Sequence, residues 1–296
     1  MKLSPINQIE LYGFEDYFFE FIKLIEENKL PNKILLSGQK GLGKATFSYH
    51  LINYVLSSNE EFKYDNKNLV IHPENHSFKT VVNKSNPNFI LIDVDKDKKS
   101  IDIDQIRDSF KYLFLKSNSK RLLYLENIER IETRTFNTLL KFSEEADKNM
   151  IICMATNNIN IVPKTILSRF QKLKIPKPSN EIIKQHLTNL GLNFDEQKND
   201  FVLQNLNLLS EDEDKNINEL FLKFDEYEAK KEIPTKDKEE IRLFLDYQIH
   251  KIKFNMLKLK SNNKRKLDEL RDLRKQILMP HNLSLDILKS KLCLYI

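Results

Sequence analysis

Three of the chain's five glycines, Gly38, Gly41 and Gly43, fall within six positions. Glycine is needed where a backbone bends sharply or comes close to a ligand, so this clustering gathers the backbone's freedom at one point. The segment reads GQKGLGKAT over residues 38–46. Just before it, residues 33–37 (KILLS) have the length and apolar character of a buried strand. Just after it, Phe47, Leu51, Ile52 and Val55 recur at helical spacing. A strand, a glycine loop and a helix in that order form the setting that the phosphate-loop pattern G-x-x-x-x-G-K requires. In such a loop, backbone N–H groups converge on phosphate oxygens, the helix N-terminus adds its positive end, and the lysine reaches the β- and γ-oxygens. The segment therefore predicts a nucleotide site formed by Gly38, Gly41, Gly43, Lys44, Ala45 and Thr46.

Two positions depart from a hydrolytic site. The pattern continues with Ser or Thr, whose hydroxyl holds Mg²⁺; here Ala45 stands in that place and Thr46 follows. One residue turns a side chain by about 100° around a helix, so Thr46 does not simply substitute. The second element is an acidic pair closing a strand, best matched by residues 122–127 (LLYLEN). Glu126 is placed to serve near a metal, but Asn127 occupies the position of the catalytic carboxylate and cannot act as a general base. A plain polar strand end fits the two residues about as well. The expectation is ATP binding, with Mg²⁺ retention and hydrolysis both compromised.

Farther on, Thr156 and Asn157 close an apolar run and are candidates for sensing a γ-phosphate. Arg169, in Ser168-Arg169-Phe170, is one of nine arginines against 39 lysines. On spacing alone two readings of it stand: a guanidinium delivered to the γ-phosphate of a neighbouring subunit, or a surface salt bridge.

Phe14, Phe18, Phe21, Ile22 and Ile25 predict a helix over 14–26. Apolar runs at 33–37, 89–93, 121–126, 150–156 and 173–175 alternate with helical patterns after residue 44, through Ile103, Ile106, Phe110 and Leu113, and over 135–145. Five short strands separated by helices predict an α/β fold, its parallel sheet covered on both faces. Residues 57–88 are polar and read as a surface loop; His72 and His76 lie four apart, but Pro73 argues against a helix through them. Beyond Pro176 and Pro178 the chain reads as helical throughout, with Gly191 ending one helix and Pro234 and Pro280 marking joints.

No apolar run approaches the ~18 residues of a membrane span. Residues 1–13 lack the apolar core of a signal peptide, which predicts a cytoplasmic protein. Cys153 and Cys293 fit neither a disulfide framework nor zinc spacing, and Cys153 reads as a small buried hydrophobe. The net charge of +5 is unevenly spread, with ten Lys/Arg against three Asp/Glu over 250–275 and six against twelve over 211–240. The basic stretch reads first as a solvated helix face, and second as one meeting nucleic acid or an acidic partner.

Several stretches taken in order resemble the delta-prime subunits of the bacterial DNA polymerase III clamp loader, within the AAA+ superfamily. They are KLPNKILLSG over 29–38 with the lysine-alanine-threonine ending of the loop, NPNF over 86–89, IDIDQIR over 101–107, FNTLLKFSEE over 136–145 and TILSR over 165–169. The last is similar to the family's Ser-Arg-Cys element except for Phe170. The resemblance covers residues 10–178 and weakens beyond. It implies an AAA+ P-loop domain over 1–175 with a five-stranded parallel sheet, an all-α lid over 176–212 and an all-α collar domain over 213–296. It implies a stator in ATP-dependent loading of a sliding clamp onto primed DNA, with motor and delta subunits as partners and Arg169 acting on a neighbour's ATP. Many members carry a zinc-binding cysteine cluster; residues 57–88 hold no cysteine, so no zinc is implied. The alternative is a self-sufficient AAA+ ATPase acting on DNA or protein.

Overall fold

The computed structural model of the 296-residue chain describes residues 4–94, 100–113, 119–147, 149–189, 191–192, 194–205, 208, 217–259, 263–278 and 285–294. The joint expected at Pro280, part of the acidic run 211–240 and residues 260–262 of the basic stretch lie outside these. The chain divides into two compact units, residues 1–186 and 187–296.

In the first unit the elements run α1 (Glu15–Glu26), β1 (Lys33–Ser37), α2 (Lys44–Leu56), α3 (His76–Val82), β2 (Phe89–Ile92), α4 (Ile103–Leu113), β3 (Arg121–Leu125), α5 (Thr133–Glu145), β4 (Met150–Thr156), α6 (Lys164–Leu167) and β5 (Gln171–Lys174). The five strands form one sheet in the order β2-β3-β4-β1-β5, every pair parallel. β1 and β4 are central and apolar because neighbours cover both faces; Ile34, Leu35, Leu36, Ile152 and Met154 are buried. Register pairs Ser37 with Thr156, so the ends of β1 and β4 lie side by side. Parallel strands all finish at the same edge, and that edge is where chemistry collects in open α/β sheets.

α1 is fixed by an aromatic cluster around Phe47 of α2. The rings of Phe14, Tyr17, Phe18 and Phe21 lie 5.9, 5.7, 5.4 and 5.1 Å from it. The helix stops where Asn28 turns into the left-handed region at φ 53°, a conformation Asn tolerates better than most residues.

Two expectations need correction. β5 is not apolar. It is the polar edge strand QKLK, bonded only to β1, and it begins two residues before the expected 173. An edge strand has one covered side and needs fewer apolar residues. Residues 57–88 are not a surface loop. Tyr64, Leu69 and Ile71 are buried, and α3 begins at His76. Asn75 caps that helix by accepting from the Phe78 N–H at 2.6 Å, accepts from Asn53 at 2.9 Å, and donates to the Phe62 carbonyl at 2.6 Å. His72 stacks on Phe62 with centroids 4.6 Å apart. A polar sequence masked a buried segment because its polar groups bond to one another.

α7 (Asn180–Asn189) spans the division between the units. It ends at Gly191, whose φ of 71° lets the Leu192 N–H return to the Leu187 carbonyl at 2.9 Å. The second unit then contains α8 (Glu196–Gln204), α9 (Ile217–Lys230), α10 (Lys238–Leu259), α11 (Lys264–Leu278) and α12 (Leu285–Cys293). Pro234 falls in the joint between α9 and α10. The core holds Phe201, Phe221, Phe224, Phe244 and Tyr247, with Phe224 and Tyr247 stacked at 5.5 Å. Among the described residues no helix is long and apolar enough to cross a membrane.

Candidate nucleotide-binding site

The chain leaves β1 at Ser37 and turns through the glycine loop into α2. Gly43 stands at the N-cap of α2 with φ 77°, and a Cβ there would lie 3.2 Å from the Phe14 ring. At Gly38 a Cβ would meet Leu42 Cδ1 at 3.1 Å and the Ile175 carbonyl at 3.4 Å. The backbone thus follows a path that side chains would block, as a phosphate cradle requires. Gly43→Ala forces an L-residue into the left-handed region, and the expected loss is about 1–2 kcal/mol. The urea midpoint of the variant measures it.

Lys44 opens α2 and is 7% exposed. Its ammonium donates to the Gly38 carbonyl at 3.0 Å, the Gln39 carbonyl at 2.7 Å and Asn157 Oδ1 at 2.7 Å. Asn157 reaches it because β4 pairs with β1 and ends beside the loop, where the Gly38 N–H also donates to the Thr156 carbonyl at 3.3 Å. Burial of the ammonium pulls the Lys44 pKa down to about 8, against the carboxylates of Glu129 and Glu126, which favour the charged form. A bound phosphate also favours the ammonium. Above pH 8 the free protein has lost this proton and must regain it on binding, so nucleotide affinity falls with rising pH, by up to about tenfold per unit. Fluorescent-ATP titrations on both sides of pH 8 check this, and Lys44→Ala should lack the dependence.

Glu129 is the residue sequence reasoning missed. It sits in a single 3₁₀ turn, Ile128–Arg130, beyond β3. Its carboxylate accepts from the side-chain amide of Asn157, from the Asn157 N–H at 3.4 Å and from Thr156 Oγ1 at 3.3 Å. Glu129 therefore fixes the amide of Asn157 so that its oxygen faces Lys44. The one sequence signal was an acid three residues past Glu126; the contact itself depends on β3 lying next to β4.

The other candidates divide. Glu126 follows β3, and its charge acts on Lys44. Asn127 is in the left-handed region at φ 52° and donates to Asp93 Oδ1 at 3.3 Å, so a neutral amide bound to a neighbouring strand end stands where a base would be. Ala45 offers only a methyl group. Thr46 lies about 200° around the helix from Lys44, and its hydroxyl donates to Gln8 Oε1 at 2.8 Å. The structure does not bring it to Lys44. The glycine cradle and the lysine thus fit a nucleotide's phosphates, whereas the hydroxyl that would hold Mg²⁺ is missing from its usual place.

Arg169 is not brought to the loop either. Ile166 and Phe170, both buried, anchor the segment and leave Ser168 and Arg169 at the surface. The guanidinium donates from Nε to Glu144 Oε1 at 2.6 Å and from Nη1 to the Thr165 carbonyl at 3.1 Å and Ser168 Oγ at 3.4 Å. Phe170, which departs from the cysteine of the resembled element, fills the core beneath the sheet with Phe136 and Leu139.

A parallel sheet ordered β2-β3-β4-β1-β5, with a glycine loop leaving β1 and a polar strand end beside it, defines an AAA+ P-loop domain. More than half of the chain, residues 15–179, matches the family described as DNA polymerase III, delta subunit, and the chain belongs to that family. It is similar to the DNA polymerase III subunit gamma/tau of Mycoplasma genitalium, 25% identical over 193 residues, covering 64% of this chain and 31% of the relative. It is 34% identical over 113 residues to the DNA polymerase III subunit gamma of Buchnera aphidicola, covering 37% of this chain and 31% of that protein. The chain spans about a third of the length of these curated relatives. Similar solved structures include a DNA polymerase III gamma subunit-related protein of Thermotoga maritima, at TM-score 0.40 and 15% identity, covering 90% of this chain and 79% of that one. Another is the Thermotoga maritima RuvB branch migration motor, at TM-score 0.43 and 12% identity, covering 87% and 81%.

Proposed function

We propose that this chain is a delta-prime-like subunit of a DNA polymerase III clamp loader. Gly38, Gly41, Gly43 and Lys44 hold the phosphates of ATP, Asn157 and Thr156 sense the terminal phosphate, and Glu126 lies within electrostatic reach. Arg169 is the finger presented to the ATP of an adjacent motor subunit. The subunit is the stator of a cytoplasmic hetero-oligomer, with motor and delta subunits around it, that opens a sliding clamp and sets it on primed DNA. In this reading residues 1–175 are the nucleotide-binding domain, 176–212 the lid and 213–296 the collar.

The observation that carries the reading is the separation of two groups within one unit. Lys44 is buried in its own loop with Asn157, while Arg169 is exposed and bonds to Glu144, Thr165 and Ser168. An arginine so placed suits another subunit's nucleotide. A self-sufficient ATPase needs a general base where Asn127 gives its amide to Asp93. Affinity purification of the tagged chain from its own cells tests the assignment. Co-purification of the DNA polymerase III gamma and delta subunits is expected; a preparation without any DNA polymerase III subunit overturns it.

A further inference from the structure

The basic stretch over 250–275 belongs to the second unit. Within the unit 187–296, α8, α10 and α11 line a half-open cavity of about 250 Å³, and that stretch supplies most of its polar lining. Its ionisable groups are Asp246, His250 and Lys253 from α10 and Arg271 and Arg274 from α11, with Gln204 closing the α8 side. Three cations face one carboxylate. That carboxylate, Asp246, is already paired with Arg274, through Nε and through Nη2 at 3.4 Å. Lys253 and Arg271 supply the excess positive charge. Arg271 pairs with Asp268, one turn back on its own helix, at 3.4 Å with both side chains about half exposed; such a contact gives way readily to a better acceptor.

The buried wall of the cavity is His250, 6% exposed, its ring 5.4 Å from that of Phe201. Its Nε2 is turned to Asp200 Oδ2 of α8 at 3.4 Å, so the carboxylate of Asp200 lies behind this wall. Asp200 from α8 and Lys253 from α10 act on the ring, and Asp246 from α10 with Arg271 and Arg274 from α11 line the same cavity.

We propose that this cavity is a binding site for a phosphate group, held by the guanidinium groups of Arg271 and Arg274 and the ammonium of Lys253, with the His250 ring as its buried wall. A carboxylate is satisfied by one planar fork, whereas cations arriving from two helices suit the several oxygens of a tetrahedral anion. The volume takes a phosphate or diphosphate and falls below the range of drug-sized ligands. Such a group has two sources, a free phosphate or diphosphate and the phosphorylated end of a nucleic acid. The site does not depend on the reading of the Lys44 loop.

The test follows the His250 ring resonances by NMR in full-length chain carrying Lys44→Ala, which weakens phosphate binding at the glycine loop. Inorganic pyrophosphate should shift them saturably. The Lys253→Ala/Arg271→Ala double variant, altered at cavity-lining side chains that are not buried, should need about tenfold more pyrophosphate while its circular dichroism is unchanged. A 5′-phosphorylated oligonucleotide acting at lower concentration than pyrophosphate assigns the site to nucleic-acid ends, and the reverse order assigns it to free phosphates; both support it. No shift at millimolar pyrophosphate, an equal shift with sodium chloride at matched ionic strength, or an equal response in the double variant overturns it.

Discussion

Replacing Arg169 by alanine is expected to lower DNA-stimulated ATP hydrolysis in a reconstituted clamp-loader assembly without preventing assembly. An arginine supplied in trans stabilises charge developing on the transferred phosphoryl group, and its loss costs on the order of 10³-fold at the ATP it serves. The competing reading is a surface salt bridge, and the contact with Glu144 at 2.6 Å is one. Exposed pairs of this kind are worth roughly 0–1 kcal/mol, so neither Arg169→Ala nor Glu144→Gln should change thermal stability appreciably. The two variants separate the readings. A finger makes Arg169→Ala lose hydrolysis at the ATP it serves and leaves Glu144→Gln active, since Glu144 only holds the guanidinium until a phosphate competes for it. A structural salt bridge makes the two variants alike. Full hydrolysis in the Arg169→Ala assembly sinks the finger.

Lys44→Ala should weaken binding of fluorescent ATP to the purified chain by on the order of 100-fold, about 2.7 kcal/mol. The size follows from losing hydrogen bonds between a charged donor and phosphate oxygens, at about 1.5–3 kcal/mol each. The variant also leaves the carbonyls of Gly38 and Gln39 and the amide of Asn157 without their donor, so circular dichroism of the variant must accompany the titration. Indistinguishable affinities in a folded variant would remove the nucleotide assignment.

The loop was legible because its pattern is local: strand, glycines, lysine and helix lie within about two dozen residues of sequence, and each obeys a short-range rule. The central strands were legible for the same reason, as apolar runs buried on both faces. What escaped was long-range. Glu129 grips Asn157 only because β3 is adjacent to β4, and the partner of Arg169 lies 25 residues before it. Residues 57–88 looked solvated because they are rich in Asn, Lys and His, yet Asn75 and Tyr64 bury themselves by pairing with Asn53 and His50 of α2. The edge strand β5 hid because a strand with one neighbour does not need an apolar run. His250, Lys253 and Arg271 read as a charge run until helix pairing set them around one cavity.

We propose that this loop holds ATP and does not cleave it, because Ala45 and Asn127 stand where a metal-holding hydroxyl and a base would be. The most direct measurement loads the purified chain with ATP labelled in the γ-phosphate, in the presence of Mg²⁺, and follows label release under single-turnover conditions. ATP should be recovered intact from the wild-type chain and not be retained by Lys44→Ala. Release of phosphate by the chain alone at ordinary enzyme rates, roughly 1–10³ per second, would contradict it.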